Sequence, residues 1–245
     1  MTIAEYIVKM TKKKKLHFSL LDPDKQSPEI AGSIAKTAEE AGSSAIMVGG
    51  STLVSQRQVD DTVKAIKGNT DLPVILFPSG ARFLSKYADA IFFMSLLNSR
   101  NLDYVIREHV KGAPFVKHTG VEPISMGYVI VEPGMTAGKI GEADLIKKDD
   151  IETAVGYALA SQYLGMKLFY LEAGSGASFP VSNKMIRAVK KSIDIPLIVG
   201  GGIRAVKTAR QKAQAGADII ITGTKLEEEK NLKQGLANII NAMED

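Results

Sequence analysis

The sequence predicts a single (β/α)₈ barrel, a TIM barrel, on three observations. Eight short apolar runs alternate with stretches of helical character over the whole chain. The length of 245 residues matches the roughly 250 residues that such a barrel needs. Polar and glycine-rich residues stand at the ends of many of the runs, where a barrel carries its working face.

The runs are His17–Asp22, Ala45–Gly50, Pro73–Pro78, Ala90–Leu97, Gly127–Pro133, Leu168–Ala173, Pro196–Gly202 and Ile219–Thr224. Near-continuous apolar composition is what a parallel strand needs when both faces are covered. Helical patterns follow at Pro28–Ala41, Ser55–Lys67, Asp149–Leu164, Val181–Ser192, Arg204–Ala215 and Asn231–Met243. Ala-Gly at 41–42, Leu-Gly at 164–165 and Ala-Gly at 215–216 mark helix ends. A doubly wound open sheet is the competing architecture, and eight units with functional-looking residues at many strand ends favour closure. Unit three is irregular. Only SGARFLSKYA separates Pro78 from Asp89, too short for a crossover helix with its loops, so that helix is expected to be shortened or replaced. No Pro/Gly/Ser linker divides residues 1–245, and one domain is expected.

Hydrophobic residues at 45% and charged residues at 24% place the chain among ordinary globular proteins with material for a sizeable core. Cys is absent, which excludes disulfides and thiolate metal sites and suits a reducing compartment. No apolar run reaches the ~18–20 residues of a membrane span, and the N-terminus does not resemble a secretory signal. The expected location is cytoplasmic. The net charge is +4. Lys12–Lys15 reads as a solvated helix end, with peripheral contact to an anionic membrane as the other reading. With 6% aromatic residues and no Trp, nothing suggests stacking on nucleic acid.

The loops after strands 7 and 8 of a barrel often bind phosphate. Here strand 7 ends in Gly200-Gly201-Gly202-Ile203-Arg204, strand 8 in Gly223-Thr224, and strand 6 in Gly174-Ser175-Gly176. Glycines admit close backbone approach to an anion, and a helix start supplies N–H donors. Tight turns explain one glycine pair but not three glycine-rich ends on consecutive strands. A phosphorylated ligand is expected there.

Strand 1 ends in Asp22-Pro23-Asp24-Lys25 and strand 2 in Gly49-Gly50-Ser51. A carboxylate beside a hydroxyl, without His or Cys, suits Mg²⁺ sharing its shell with a phosphate. Asp22 as a turn cap and an Asp24–Lys25 pair is the alternative. Glu172 lies two residues after Tyr170 on the same strand face, beside the glycine cup. It is placed to orient or deprotonate a hydroxyl of the ligand, or else to form a structural ion pair. Of the histidines, His17 is expected at a strand start, His109 in a helix and His118 in a loop, none with a ligand-like spacing partner. A phosphate cup on one side and a Mg²⁺–diphosphate end on the other suit the joining of two phosphorylated substrates. Residues of Ala90–Leu97, Tyr128 and Ile130 are candidates for an apolar groove between them.

LLDPDK at 20–25, VGGS at 48–51, GYVIVEPG at 127–134, YLEAGSG at 170–176, VGGGIR at 199–204 and ITGT at 221–224 resemble the geranylgeranylglyceryl phosphate synthases. These are prenyltransferases that form the first ether bond of archaeal membrane lipids. The likeness runs in order over nearly the whole chain. It implies transfer of geranylgeranyl from its diphosphate to the 3-hydroxyl of sn-glycerol 1-phosphate, with Mg²⁺. It also implies that Asp22 and Ser51 bind Mg²⁺ with the diphosphate. Tyr170, Leu171, Glu172, Ala173, Gly174, Ser175, Gly176, Gly201, Gly202, Gly223 and Thr224 would then hold glycerol phosphate. Glu172 would take the hydroxyl proton, with Tyr170 beside it as the second catalytic residue. Bacterial relatives that use heptaprenyl diphosphate carry a lysine two residues before that aspartate; Leu20 stands here, as in the archaeal version. The resemblance further implies a homo-oligomer, dimer or hexamer. Two other readings remain: a sugar-phosphate isomerase of amino-acid biosynthesis, pairing Asp22 with Glu132, and a non-catalytic phosphate-binding barrel.

Overall fold

The computed structural model describes residues 1–49, 55–223 and 231–244; Gly50, Ser51 and Thr224 lie outside the described residues. The eight strands are β1 (Leu16–Leu21), β2 (Ala45–Gly49), β3 (Val74–Phe77), β4 (Ala90–Leu96), β5 (Glu122–Ile130), β6 (Leu168–Glu172), β7 (Leu197–Gly200) and β8 (Ile219–Thr222). They form a closed barrel in sequence order, and every neighbouring pair is parallel, including β8 with β1 through Phe18↔Ile221 and Ser19↔Thr222. The expected architecture is therefore observed.

The alternation of strand side chains divides the core. Phe18, Met47, Ile75, Phe92, Met126, Tyr170, Ile198 and Ile221 form one cluster that fills the barrel. Val129, Leu171, Val199 and Ile220 point outward into a second cluster beneath α6 (Ile151–Tyr163), α7 (Asn183–Ser192) and α8 (Val206–Ala215). A third lies under α2 (Pro28–Glu40), α3 (Gln56–Lys67) and the closing helix α9 (Leu232–Asn241). Gly127 on β5 permits the closest of these contacts. A Cβ there would lie 2.2 Å from Ser161 Oγ on α6, so only glycine lets this helix seat on the strand.

The N-terminal end of the barrel is closed by α1 (Ile3–Thr11), whose Ala4 and Ile7 join the interior cluster. Thr2 and Glu5 form a reciprocal capping box. The Glu122 carboxylate accepts from the N–H groups of Ile3 at 2.5 Å and Ala4 at 2.9 Å, where the helix dipole favours negative charge. Lys12, Lys13 and Lys14 follow, exposed, and Lys15 reaches Asp218 at 3.6 Å.

Three expectations need correction. Strand 5 begins at Glu122 and ends at Ile130 instead of spanning Gly127–Pro133. Its polar first residue serves α1, and Val131, past the strand's end, bridges to Ile146 while its N–H stays on the Glu172 carbonyl at 2.8 Å. His118 lies in α4 (Glu108–Thr119), which continues through Pro114 and follows a π-helical turn at Asp103–Arg107. A short α5 (Met135–Ile140) after β5 had no counterpart in the sequence reading. The irregular third unit is as expected: one 3₁₀ turn at Ala81–Phe83 stands where a helix would be.

Gly127→Ala is expected to cost about 1–3 kcal/mol by overpacking, read as a lower urea midpoint at unchanged slope. An unchanged midpoint would mean that α6 does not press on β5 at this point.

Candidate functional site

Among the described residues, two cavities open at the C-terminal end of the barrel. The smaller, about 50 Å³, is lined by Ser175 and Gly176 after β6, Gly201 to Arg204 after β7, and Thr222 and Gly223 at β8. The three strand ends singled out from the sequence thus converge on one small, glycine-walled space. The larger, about 340 Å³, runs between β3, β4, α4 and α5. Leu20, Glu172, Ser175 and Gly223 line both cavities, so the two meet at the Glu172 carboxylate.

Glu172 ends β6 pointing inward and is 7% exposed. Its Oε2 accepts from the Tyr170 hydroxyl in a short hydrogen bond, and its Oε1 from the Gly174 N–H at 2.5 Å. No cation joins these partners among the described residues, which argues against the ion-pair reading. Burial raises the Glu172 pKa above the ordinary carboxylate range, and the two hydrogen bonds pull it back only in part. Burial and the neighbouring carboxylate hold the Tyr170 phenol far above its usual value, so it stays a donor. Space for this arrangement comes from Gly200 and Gly201. A Cβ on Gly200 would fall 2.2 Å from the Tyr170 hydroxyl oxygen, and one on Gly201 2.4 Å from Glu172 Oε1. Gly201 also has φ +84°, which disfavours any side chain.

The larger cavity has a polar rim and an apolar body. Asp22, Asp24 and Lys25 stand at the rim. Lys25 Nζ is 4.0 Å from Asp22 Oδ2. Burial first, and then the adjacent Asp24, raise the Asp22 pKa to about 7. Two crowded oxygen donors without His or Cys suit a hard divalent cation. Among the described residues no third His, Cys, Asp or Glu completes a cluster. Ser51, the expected partner, lies outside the described residues.

The body of the cavity passes through the barrel wall. Phe92 and Met94 face the interior, but Ile91 and Phe93 point outward and also line it, together with Leu84, His109 and Gly112. It reaches the outside because unit three lacks its covering helix. Of the groove candidates, Ile91 to Met94, Leu96 and Tyr128 line it, whereas Ala90 and Ile130 are core. Nothing in the residue pattern singled out Tyr104 or His109, and the short third unit is the signal that could have pointed to a groove beside them. His109 stands edge-on to Phe93 at 4.7 Å. Phe77, Tyr128 and Tyr170 cluster beside Glu172, with ring centroids 5.1–6.0 Å apart.

Other expected site residues fall elsewhere. Leu171 and Ala173 are fully buried in the outer core and line neither cavity. Gly174 packs its Cα side against Gly134 and gives its N–H to Glu172. Glu132, the base that an isomerase would need, lines neither cavity and accepts from the Lys148 N–H at 3.2 Å.

Residues 8–243 match the PcrB family model. The chain belongs to the PcrB family. Among its relatives, the geranylgeranylglyceryl phosphate synthase of Thermococcus sibiricus is 53% identical over 99% of this chain and 96% of its own. That of Pyrococcus horikoshii is 53% identical over 95% of this chain and 91% of its own. The crystal structure of the Thermoplasma acidophilum (S)-3-O-geranylgeranylglyceryl phosphate synthase, in complex with its substrate sn-glycerol-1-phosphate, superimposes with a TM-score of 0.97. It has 47% identity and covers 100% of this chain and 99% of its own. Barrels at 14–16% identity, such as a thiamine phosphate pyrophosphorylase, a tryptophan synthase and a tryptophan synthase alpha chain, share the fold alone.

The Asp22 environment predicts a pH effect. A carboxyl that holds its proton more tightly folded than unfolded loses stability for the fold as pH rises from 3.8 to about 7. Above that range the carboxylate is a standing cost. Asp22→Asn should therefore raise Tm at pH 8. A lower Tm for the variant at pH 8 would contradict the burial argument.

Proposed function

We propose that this PcrB-family chain is a geranylgeranylglyceryl phosphate synthase. It transfers geranylgeranyl from geranylgeranyl diphosphate to the 3-hydroxyl of sn-glycerol 1-phosphate and releases diphosphate. The observation that carries this reading is Glu172 at the junction of a small glycine-walled cavity and a long apolar one. The small cavity has the size and backbone lining for a phosphate handle, and the long one suits a prenyl chain. The phosphate in the cup aims the glycerol hydroxyl at Glu172.

Glu172 takes the hydroxyl proton as the new C–O bond forms and the allylic C–O bond to diphosphate breaks. The Tyr170 hydroxyl and Gly174 N–H hold the carboxylate in one orientation. Its raised pKa makes it a stronger base once ionised, so turnover rises as pH climbs through that value. The faces of Phe77, Tyr128 and Tyr170 stand near the developing allylic charge and attract it through their ring quadrupoles. Asp22 and Ser51, the expected pair, would hold Mg²⁺ together with the diphosphate, with Asp24 beside Asp22 at the rim. Neutralising the leaving diphosphate is the chemistry that such a cation supplies when bound. The reading also carries the homo-oligomeric assembly and cytoplasmic location that the resemblance implies; the lack of Cys is in keeping with that compartment.

The direct test incubates the purified chain with sn-glycerol 1-phosphate, radiolabelled geranylgeranyl diphosphate and Mg²⁺, and counts organic-soluble product after dephosphorylation. Product should form. Glu172→Gln should lower kcat by about 10²–10⁴-fold while the Kd for glycerol phosphate moves by less than about threefold. Turnover of an aminoaldose phosphate without prenyl transfer would overturn the reading, and equal losses of kcat and affinity would remove Glu172 as base.

A further inference from the structure

A buried polar chain lies directly behind the glycine cup. His17, in β1, is 0% exposed. Its Nδ1 is 2.9 Å from Ser43 Oγ and its Nε2 is 2.9 Å from Thr222 Oγ1, while Ser43 Oγ is also 2.9 Å from Ser19 Oγ. Burial lowers the His17 pKa to about 4, so the ring is neutral at working pH, one nitrogen donating and the other accepting. A neutral, fully hydrogen-bonded imidazole is a rigid strut and not a titrating group.

The strut ends at a particular place. Among the described residues, Ser19↔Thr222 is the last paired position between β1 and β8, so the ladder ends at the Thr222–Gly223 peptide. Thr222 turns its hydroxyl outward to His17. The next residue, Gly223, faces inward and lines both cavities. Its nearest neighbours are the Leu20 carbonyl and side chain, 3.4–3.6 Å from where a Cβ would stand. The orientation of the peptide between Thr222 and Gly223 fixes where that N–H points. Among the described residues, the hydrogen bond to His17 is the side-chain anchor of β8 nearest to that peptide.

We propose that His17 is a positioning residue for the acceptor phosphate, acting through Thr222 to hold the Thr222–Gly223 peptide against the cup. This rests on the phosphate reading of the cup. His17 touches neither substrate. The Ser43 and Ser19 hydroxyls lock the ring from the other side, so the strut ties the barrel's closing seam to the wall of the cup.

The test titrates sn-glycerol 1-phosphate by calorimetry into the full chain and into Thr222→Val, which keeps the shape and loses the hydroxyl. Losing one neutral hydrogen bond's worth of positioning should weaken the Kd about fivefold, while the KM for geranylgeranyl diphosphate changes by less than twofold. Thr222→Ser keeps the hydroxyl and should recover most of the affinity. His17→Gln should weaken the Kd as Thr222→Val does, and adding it to Thr222→Val should cost nothing more. Unchanged affinity in a folded Thr222→Val, or equal weakening for both substrates, would overturn the positioning role. Failure of the unmutated chain to bind glycerol phosphate would instead overturn the functional reading beneath it.

Discussion

The site depends on a carboxylate that is buried without a counter-charge among the described residues. Glu172 is tolerated inside the barrel mouth because each of its oxygens accepts one hydrogen bond from its own strand's continuation, from Tyr170 and from Gly174. Burying an unpaired charge is costly, and the raised pKa measures how incompletely two donors offset that cost. Gly200 and Gly201 are the counterpart of this arrangement, since any side chain there would strike the Tyr170 hydroxyl or the carboxylate. The glycines that form the cup thus also make room for the base. Phosphate binding and base placement are therefore one packing problem with one solution.

The second constraint is an omission. With a 3₁₀ turn in place of a third helix, the outer faces of Ile91 and Phe93 are left to line a groove instead of a helix contact. That groove starts at the carboxylate and leaves through the barrel wall. A complete unit three would have closed it, and the larger cavity would have been confined to the barrel mouth. The same irregularity is balanced on the other side by α4 and its π-helical turn, which supply Tyr104, His109 and Gly112 to the groove.

Much of this was legible in the sequence because it is local. The barrel follows from eight apolar runs, and the cup from glycines at three consecutive strand ends. Glu172 and Tyr170 share a strand face because they are two residues apart. The shortened third unit could be counted directly. What was not legible depends on pairing and on chain direction after the strands. The start of β5 was missed because Glu122 is polar, and its reason for being there is α1, more than a hundred residues away. The resemblance places Leu171 and Ala173 in the glycerol phosphate segment, and strand alternation turns their side chains to the outer core. His17 looked idle as a single residue, because its partners Ser43 and Thr222 come from other parts of the chain.

The central claim is that Glu172 stands between two substrates and receives the acceptor's proton. Its most direct test is a crystal structure of Glu172→Gln with sn-glycerol 1-phosphate, Mg²⁺ and geranylgeranyl diphosphate bound together. The glycerol phosphate should sit in the glycine cup with its 3-hydroxyl within hydrogen-bonding distance of residue 172. That hydroxyl should face the first carbon of a prenyl chain lying in the groove. A 3-hydroxyl directed away from residue 172, or a prenyl chain outside the groove, would contradict the account.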